Sequence, residues 1–565
     1  MFTQILTQSV SLAKRCVRLL RPYWGIIALG MLLRLLLMPF TIMEDIMEIS
    51  WLSSFILQGH VNVYVYYFQR FQTIYFPPGT YGTIAAQFPP ISYLFEAGYL
   101  FILEKLGIFS FPTFWAQLQS GMACYMPCNG MTLMPTLDAN RFFFIVKLPY
   151  LAFDILGLVM LLGVLEKKYR RAGAAAWMLN PFILYISYGW GQTDIIAASL
   201  TAVALYFAKR TYTTKNTRPG LLACLALGLA ASFKLYPLAL LPIFAIFAAT
   251  NTRKHWFRYV AAGLLPFVVV IPFISTSFIN MIFPLQGFLT AHEFPGANPL
   301  MYTIVPAFAI YLVLIYYLIS KYDLPFGTIL SASLGVFAIL YGFGIWIPNW
   351  FVWGIPFVLP IVITRPRLFV VYVLVTVFYF MFASAWGTWL WLGLFYPLTD
   401  PVFGSGPLWT FPNLWDMIPT WSGLINLAYT GIGASMFFLV YRSLKRESTT
   451  KDHPIGPIRW GALLLIPLSL AALNLYLGRT FLTRLDLWNT LASKIEADPI
   501  FFDVYFTVVA LTILLVLAAM YVTAAKKFRT YPKLSWRNWP FKKRNTRVLR
   551  RSTIKLNAVL ADGVC

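Results

Sequence analysis

The sequence predicts an all-α integral membrane protein, a polytopic bundle of about 12–15 transmembrane helices. Hydrophobic residues make up 59% of the chain, charged residues only 11%, and the mean hydropathy is +0.70. A soluble protein of 565 residues does not have this composition. Apolar stretches of about 20 residues, the length that crosses the hydrocarbon core, recur from residue 24 to residue 522. These stretches should be helices, because lipid offers the backbone no hydrogen-bond partners.

The apolar stretches locate the individual spans. We predict them at 24–42, 143–165, 174–190, 194–208, 220–233, 235–250, 259–275, 302–319, 326–346, 350–364, 368–388, 422–441, 460–478 and 501–524. The stretch 88–109 does not fit as a lone crossing, since the first span should run outward and the second inward. Either it is re-entrant, or part of 110–140 supplies a further crossing.

The net charge of +24 lies in short loops and in the C-terminal tail. Between positions 526 and 555 there are twelve Lys or Arg residues and no acid, in a segment that contains FKKRNTRVLRR. Basic clusters beside apolar spans mark the cytoplasmic face and contact anionic membrane lipid. We therefore expect membrane lipid as a partner of this charge and no nucleic acid.

This orientation places the long polar loops 43–87, 276–300, 389–421 and 479–500 on the outer side, where we expect the functional site. The chain carries no GxGxxG segment and no P-loop, so a nucleotide-bound donor is disfavoured. Its five cysteines form no CxxC pair, and no ligand set demands a metal. We expect neither a metal nor a cofactor.

The densest group of acids follows the first span, in the segment FTIMEDIMEISW. On a helix, Glu48 would share a face with Asp45 three residues before it and with Glu44 four residues before it. Crowded carboxylates beside hydrocarbon suit a general base. The alternative is that they only cap and solvate the end of a juxtamembrane helix.

Three further polar clusters lie at predicted outer helix ends or in an outer loop. The segment GWGQTD carries Trp190, Gln192 and Asp194, and it joins two predicted spans. Asp194 could be a simple N-cap, although an N-cap would not explain the presence of Trp190 and Gln192. Lys234 in SFKLYP either snorkels to the interface or meets a phosphate. His292 in AHEFPGAN is either a binding residue or an ordinary polar residue of a loop, without a specific role.

Several of these segments together resemble the GT-C superfamily of membrane glycosyltransferases. The similarity is to polyprenyl-phosphate-mannose-dependent mannosyltransferases and to bacterial relatives of the second mannosyltransferase of GPI-anchor assembly. It covers roughly residues 24 to 370. The segments that carry it are GWGQTDII at 189–196, ASFKLYPLALLP at 231–242, Asp45 with Trp51, the FPP motifs at 76–78 and 88–90, Asn298, and IPNWFVWGIPFVLP at 347–360.

The resemblance implies transfer of a hexose, with mannose as the expected sugar, from a polyprenyl-phosphate donor to a glycan or glycolipid acceptor. It places the catalytic base on an acid after the first span, which here is Asp45, with inversion at the anomeric carbon. Glu44 and Glu48 have no clear counterpart in many relatives, so which acid takes the proton stays open. Lys234 and His292 are the expected phosphate contacts, and further polar pocket residues are expected in GWGQTD.

The resemblance and the charge pattern together divide the chain. The resemblance implies a GT-C-like catalytic module 24–370 with outer loop 43–87. Hydropathy and the basic clusters predict a cytoplasmic segment 1–23, C-terminal helices 371–524 and a basic cytoplasmic tail 525–565. We expect a multi-pass cell-membrane protein with an extracytoplasmic site.

Cys124 and Cys128, in an inserted loop, either form a disulfide or are free thiols. A lipid or glycan transporter or flippase is the alternative function, although no repeated halves are visible. A structural membrane protein is a third possibility.

Overall fold

The computed structural model describes residues 16–40, 44–71, 88–108, 137–189, 191–282, 301–321, 324–344, 346–384 and 421–444. The chain divides into two compact units, Met1–Thr483 and Arg484–Cys565, and every described residue belongs to the first. All regular elements in these ranges are helices, and the same ranges contain no strand. The predicted helical class is therefore confirmed for this part of the chain.

The helices follow one another with short connections. They are α1 Trp24–Leu37, α2 Glu44–Leu57, α3 Val63–Phe71, α4 Pro90–Lys105, α5 Leu137–Val164, α6 Arg170–Met178, α7 Asp194–Thr214, α8 Thr217–Ala231, α9 Leu241–Thr252, α10 Phe257–Leu264, α11 Thr276–Ile282, α12 Met301–Ile319, α13 Phe326–Phe343, α14 Ile355–Thr364, α15 Phe369–Ser384 and α16 Trp421–Leu444. A π-helix, Ile183–Gly189, precedes α7, and a 3₁₀-helix, Pro348–Gly354, precedes α14.

Four helical segments are long and apolar enough to cross a membrane: Cys16–Leu37, Phe142–Val164, Phe326–Phe343 and Pro366–Ala383. Shorter apolar segments are Thr217–Ala231, Leu241–Thr252, Phe257–Phe273, Ala307–Ile319 and Pro348–Thr364. Large apolar side chains on α1, α10 and α12 are exposed, as lipid-facing surfaces would be. The described residues are thus all helical and compatible with a helical membrane protein, whereas the number of spans and the sidedness of the loops stay predictions.

Several predicted spans are interrupted where the sequence weakens the α-helical hydrogen-bond ladder. In the predicted span 174–190, the Asn180 side-chain oxygen accepts the backbone N–H groups of Phe182 and Ile183 between α6 and the π-helix. Prolines begin the 3₁₀-helix Tyr236–Ala239 and interrupt the 3₁₀-helix Leu265–Phe273. The stretch 88–109 contains α4, of 16 residues. Residues 109–136 lie outside the described residues, so the re-entrant segment and the further crossing both stay predictions.

A buried ion pair fixes the first span to the bundle. The Arg34 Nε atom lies 2.6 Å from an Asp154 carboxylate oxygen, and both side chains are fully buried. Trp177 and Tyr188 donate further hydrogen bonds to the same carboxylate, at 2.6 and 2.8 Å. Because a buried charge is tolerated only when it is paired and hydrogen-bonded, this cluster holds α1, α5 and α6 in one arrangement.

Close helix packing brings the polar motifs together. Helix α7 packs along α5 on one side and α8 on another, and α2 packs along α4. The 3₁₀-helix Pro348–Gly354 lies against α7. The N-terminal end of α7 therefore lies among segments that are far apart in the sequence.

Candidate functional site

The segment GWGQTD forms the tight connection between the π-helix and α7. The π-helix ends at Gly189, and α7 begins at Asp194. The Gln192 backbone N–H donates to the Ile186 carbonyl at 3.0 Å, which closes the connection. Gly191 has φ +84°, a conformation that other residues rarely adopt. π-helical segments are rare and occur frequently at functional sites.

Asp194 is fully buried in the first turn of α7 and is the centre of the site. The Trp353 indole N–H donates a hydrogen bond to its Oδ1 atom. Its Oδ2 atom lies 3.8 Å from the Lys234 Nζ atom. Thr193 is the N-cap residue, but no side-chain capping bond forms there. The role of Asp194 is therefore not that of an N-cap, and its carboxylate instead joins two remote segments.

Lys234 lies just after the C-terminal end of α8, in the segment SFKLYP. Its side chain is 13% exposed, so the ammonium group is shielded but reachable. The Nζ atom also lies 4.0 Å from the centre of the Phe88 ring, in a cation–π contact. Phe88 begins the second FPP motif, and this copy of the motif therefore belongs to the site.

The Phe88 backbone is held by two tyrosines. The Tyr64 hydroxyl donates to its carbonyl oxygen at 2.5 Å, and its N–H donates to the Tyr93 hydroxyl oxygen at 3.2 Å. The Ser92 hydroxyl, in the first turn of α4, donates to the Phe233 carbonyl at 3.1 Å. These bonds connect the start of α4 to the residue before Lys234.

A stack of three aromatic rings lines the other side of Asp194. Tyr236 and Trp353 are parallel within 10°, with ring centres 4.2 Å apart. Trp350 stacks on Trp353 at 4.8 Å. The Tyr236 hydroxyl lies 3.5 Å from the Thr201 hydroxyl on α7. Flat aromatic surfaces beside a carboxylate and an ammonium group provide both apolar and polar contacts, as small-molecule sites do.

The helix that follows the first span reaches the same connection. A Cβ atom placed on Gly191 would lie 2.5 Å from the Ile46 Cδ1 atom and 2.8 Å from the Lys147 Cε atom. Ile46 lies in the first turn of α2, so this turn packs against GWGQTD. The acids Glu44, Asp45 and Glu48 belong to the first two turns of α2; of these three residues the structure describes the backbone only.

The remaining predicted site residues and motifs lie outside the described residues. These are Trp190, His292, Asn298, the cysteines Cys124 and Cys128, and the first FPP motif at 76–78. Their predicted roles stay predictions. Gln192 is described, is fully buried and lies two residues before Asp194.

The sequence analysis did not identify three features of this region. Two of them involve ionisable residues: Lys147 is a fully buried lysine within α5, and Asp154, in the same helix, binds Arg34. These two were recognisable, because an ionisable residue inside an apolar span is a functional or structural candidate by default. The bond between Trp353 and Asp194 joins positions 159 residues apart, and no pattern in one sequence reports such a contact.

The described residues place a carboxylate, a cation, a buried amide and an aromatic stack at the N-terminal end of one helix. In these ranges no group of three His, Cys, Asp or Glu side chains lies together as metal ligands would. The prediction that no metal takes part stays a prediction. The chain matches no family model, no curated protein and no solved structure.

Proposed function

We propose that the chain is a GT-C-type membrane glycosyltransferase. It transfers a hexose, mannose in the most specific form of the proposal, from a polyprenyl-phosphate donor to a glycan or glycolipid acceptor at the outer face. The observation that carries the proposal is the contact of Lys234 with Asp194 and Phe88. Three segments that the sequence resemblance identified separately, SFKLYP, GWGQTD and the second FPP motif, meet at this one ammonium group.

The ammonium group of Lys234 suits the donor phosphate. Its Nζ atom is 3.8 Å from the Asp194 Oδ2 atom, a distance longer than a close charged hydrogen bond, and the side chain retains some exposure. The phosphodiester of the incoming donor can therefore gain a charge-assisted contact from a cation that is already positioned. As the glycosidic bond to the phosphate breaks, this cation stabilises the negative charge that develops on the leaving group.

The aromatic stack suits the sugar. The apolar faces of hexose rings pack on aromatic rings, while their hydroxyl groups need polar partners. Trp350 and Trp353 provide such a surface beside the Asp194 carboxylate, and Trp350 is only half buried. A hexose bound here would lie near both the cation and the first turn of α2.

The remaining chemical requirement is a base for the acceptor hydroxyl. We assign this role to Asp45, in the first turn of α2, whose neighbour Ile46 lies against Gly191. A carboxylate deprotonates the attacking hydroxyl, the oxygen displaces the phosphate from the opposite face, and the anomeric configuration inverts. Glu44 and Glu48 remain alternatives, because they occupy the same two helical turns.

The test uses purified protein in liposomes supplied with radiolabelled polyprenyl-phosphate mannose and a membrane extract that contains candidate acceptors. We expect label to pass from the donor to an acceptor, and we expect Asp45→Asn to stop it. A reaction in which the labelled lipid crosses the bilayer unchanged, with no labelled acceptor formed, would support the flippase alternative instead. A donor bearing glucose in place of mannose identifies the sugar.

A further inference from the structure

A buried amide side chain lies next to the aromatic stack of the site. Asn349 is the second residue of the 3₁₀-helix Pro348–Gly354 and is only 1% exposed. Neither its Oδ1 atom nor its Nδ2 atom hydrogen-bonds to any residue that the structure describes. Buried polar groups in proteins are almost always hydrogen-bonded, because burying them unpaired is costly. The described part of the chain therefore does not explain why this residue is an asparagine.

The backbone around Asn349 is fixed on both sides. The Tyr379 hydroxyl donates to the Pro348 carbonyl at 3.0 Å, and the Tyr341 hydroxyl donates to the Trp350 carbonyl at 2.9 Å. Both tyrosines are fully buried. The amide is thus held in a preorganised position, which lowers the entropic cost of binding a ligand there.

A second buried asparagine has the opposite environment. The Nδ2 atom of Asn180 donates to the Ala176 carbonyl at 3.1 Å and to the Tyr372 hydroxyl at 2.9 Å. Its Oδ1 atom accepts two backbone N–H groups at 3.0 and 3.2 Å. Asn180 therefore uses both its donors and its acceptor within the protein. Asn349 uses neither toward the described residues, although it is almost equally buried.

Two hydroxyl groups of the same region share this property with Asn349. The Ser187 Oγ atom in the π-helix and the Thr193 Oγ1 atom just before α7 are buried, and neither has a hydrogen-bond partner among the described residues. The π-helix, α7 and the 3₁₀-helix pack against one another. The segments that meet around Asp194 thus contribute these three buried polar side chains, all with unused hydrogen-bonding groups.

The chemistry of these groups indicates which ligand would satisfy them. An amide offers donors and an acceptor, and a hydroxyl group offers both functions as well. An ionised phosphate only accepts, so it would leave the Asn349 carbonyl oxygen unpaired, and a lipid chain would satisfy neither group. Sugar hydroxyls donate and accept, and two adjacent hydroxyls can pair with one amide. Trp350 and Trp353, in the same 3₁₀-helix, provide the aromatic surface on which a hexose ring packs.

We propose that Asn349 is a specificity-determining residue that binds two adjacent hydroxyl groups of the hexose. Its carbonyl oxygen would accept from one hydroxyl, and its NH₂ group would donate to the other. This inference rests on the proposed function, since it takes the hexose of the lipid-phosphate donor as the ligand. Lys234 would bind the phosphate and Asn349 would recognise the sugar. A donor whose hexose lacks one of these hydroxyls would leave the amide buried and partly unpaired, and it would be bound less tightly.

Thermal unfolding without any sugar tests whether the protein itself uses the amide. Asn349→Ala and Asn180→Ala remove the same atoms from two buried positions. Asn180→Ala should lower the unfolding temperature of the detergent-solubilised protein by several degrees, because it leaves its former partners unpaired. Asn349→Ala should lower it clearly less, because no described residue loses a hydrogen bond. Equal losses would give the Asn349 amide a structural role and overturn the proposal.

Competition binding identifies the hydroxyl groups and needs no acceptor. The probe is radiolabelled polyprenyl-phosphate mannose bound to the wild-type protein in nanodiscs, displaced by unlabelled donors that each lack one hydroxyl. We expect removal of either of two adjacent hydroxyls to weaken binding about ten- to a hundredfold, the scale of leaving a buried polar group unpaired. If the wild-type protein binds every deoxy donor as tightly as the parent donor, the proposal is overturned, however the variants behave.

The variant Asn349→Ala then connects this loss to one residue. It should bind the parent donor and the two critical deoxy donors alike, because the contact is already absent. The deoxy donors that lack other hydroxyls are the matched controls, and their binding relative to the parent donor should be the same in the variant and the wild type. A variant that keeps the full wild-type preference assigns the hydroxyls to another residue and overturns the proposal.

Sugar transfer separates this inference from the proposed function. Donor binding that depends on Asn349, without transfer to any acceptor, would support the hydroxyl contact and refute the transferase. Transfer with unchanged discrimination in Asn349→Ala would refute the hydroxyl contact alone. Absence of saturable donor binding by the wild-type protein would refute both.

Discussion

The ammonium nitrogen of Lys234 lies 3.8 Å from a carboxylate oxygen of Asp194, and the two residues are brought together from the ends of neighbouring helices. The ring of Phe88 covers the same ammonium group at 4.0 Å. The cation is thus held between a charge and an aromatic face and retains limited access to the exterior. This arrangement positions a positive charge without neutralising it completely.

Removal of this cation should weaken use of the donor. Lys234→Ala is expected to lower kcat/KM for the lipid-phosphate sugar about ten- to a hundredfold, the scale of one charge-assisted contact to phosphate. Steady-state kinetics in liposomes measures this. Lys254→Ala, which changes an exposed lysine elsewhere in the chain, is the control and should have no effect. Unchanged donor kinetics in Lys234→Ala would remove this residue from the site, and His292→Ala would then be the next candidate.

The hydrogen bond between Trp353 and Asp194 can be removed while the aromatic stack is kept. Trp353→Phe retains a ring against Tyr236 but loses the N–H that donates to the carboxylate. A hydrogen bond to a charged group contributes about 1.5–3 kcal/mol, so transfer should fall by about an order of magnitude or more. Trp350→Phe changes the neighbouring ring of the same stack and should cost less. Equal losses in both variants would show that only ring packing matters.

The glycine of GWGQTD is expected to tolerate no side chain. Gly191→Ala would place a methyl group 2.5 Å from the Ile46 side chain in a backbone conformation with φ +84°. The φ value alone costs about 1–3 kcal/mol, and the steric clash adds to it. We expect a lower unfolding temperature and loss of transfer, because the first turn of α2 must move away.

Gly189→Ala is the matched control for this substitution. A Cβ atom at Gly189 would meet its nearest neighbour, the Leu184 carbonyl oxygen, at 3.4 Å, an ordinary contact. This variant should remain folded and active. If both glycine variants behaved alike, the close approach of α2 to Gly191 would not be the reason for glycine there.

The ion pair between Arg34 and Asp154 should be a determinant of stability. Arg34→Met leaves the buried carboxylate without its cation, and breaking a buried pair in this way costs about 3–5 kcal/mol. Thermal unfolding in detergent measures the loss. Lys168→Met is the matched control, since Lys168 forms an exposed pair with Glu166 at 3.3 Å and surface pairs contribute little. A small effect of Arg34→Met would mean that water or another cation reaches Asp154.

The extent to which the sequence predicts this molecule differs between fold and site. Hydropathy locates most of the described helices, because span length and composition are local properties. It does not locate their interruptions, which depend on side-chain bonds such as those of Asn180. The motifs identified Asp194 and Lys234 individually, and the structure places them in contact. The contributions of Trp353 and Lys147 depend on contacts between distant segments, and such contacts are invisible to composition and spacing.

The most specific prediction concerns the base. Asp45→Asn keeps the size and polarity of the side chain but cannot accept a proton. Folding and membrane insertion should survive. Sugar transfer should fall about 10²- to 10⁴-fold, the usual contribution of a positioned general base.

Glu44→Gln and Glu48→Gln are the controls for this variant, and both should lose much less activity. If Asp45→Asn retained near-normal turnover while Glu48→Gln were inactive, the base would be Glu48, three residues further along α2. If all three variants remained active, the first turns of α2 would supply no base, and the glycosyltransferase proposal would lose its main chemical support.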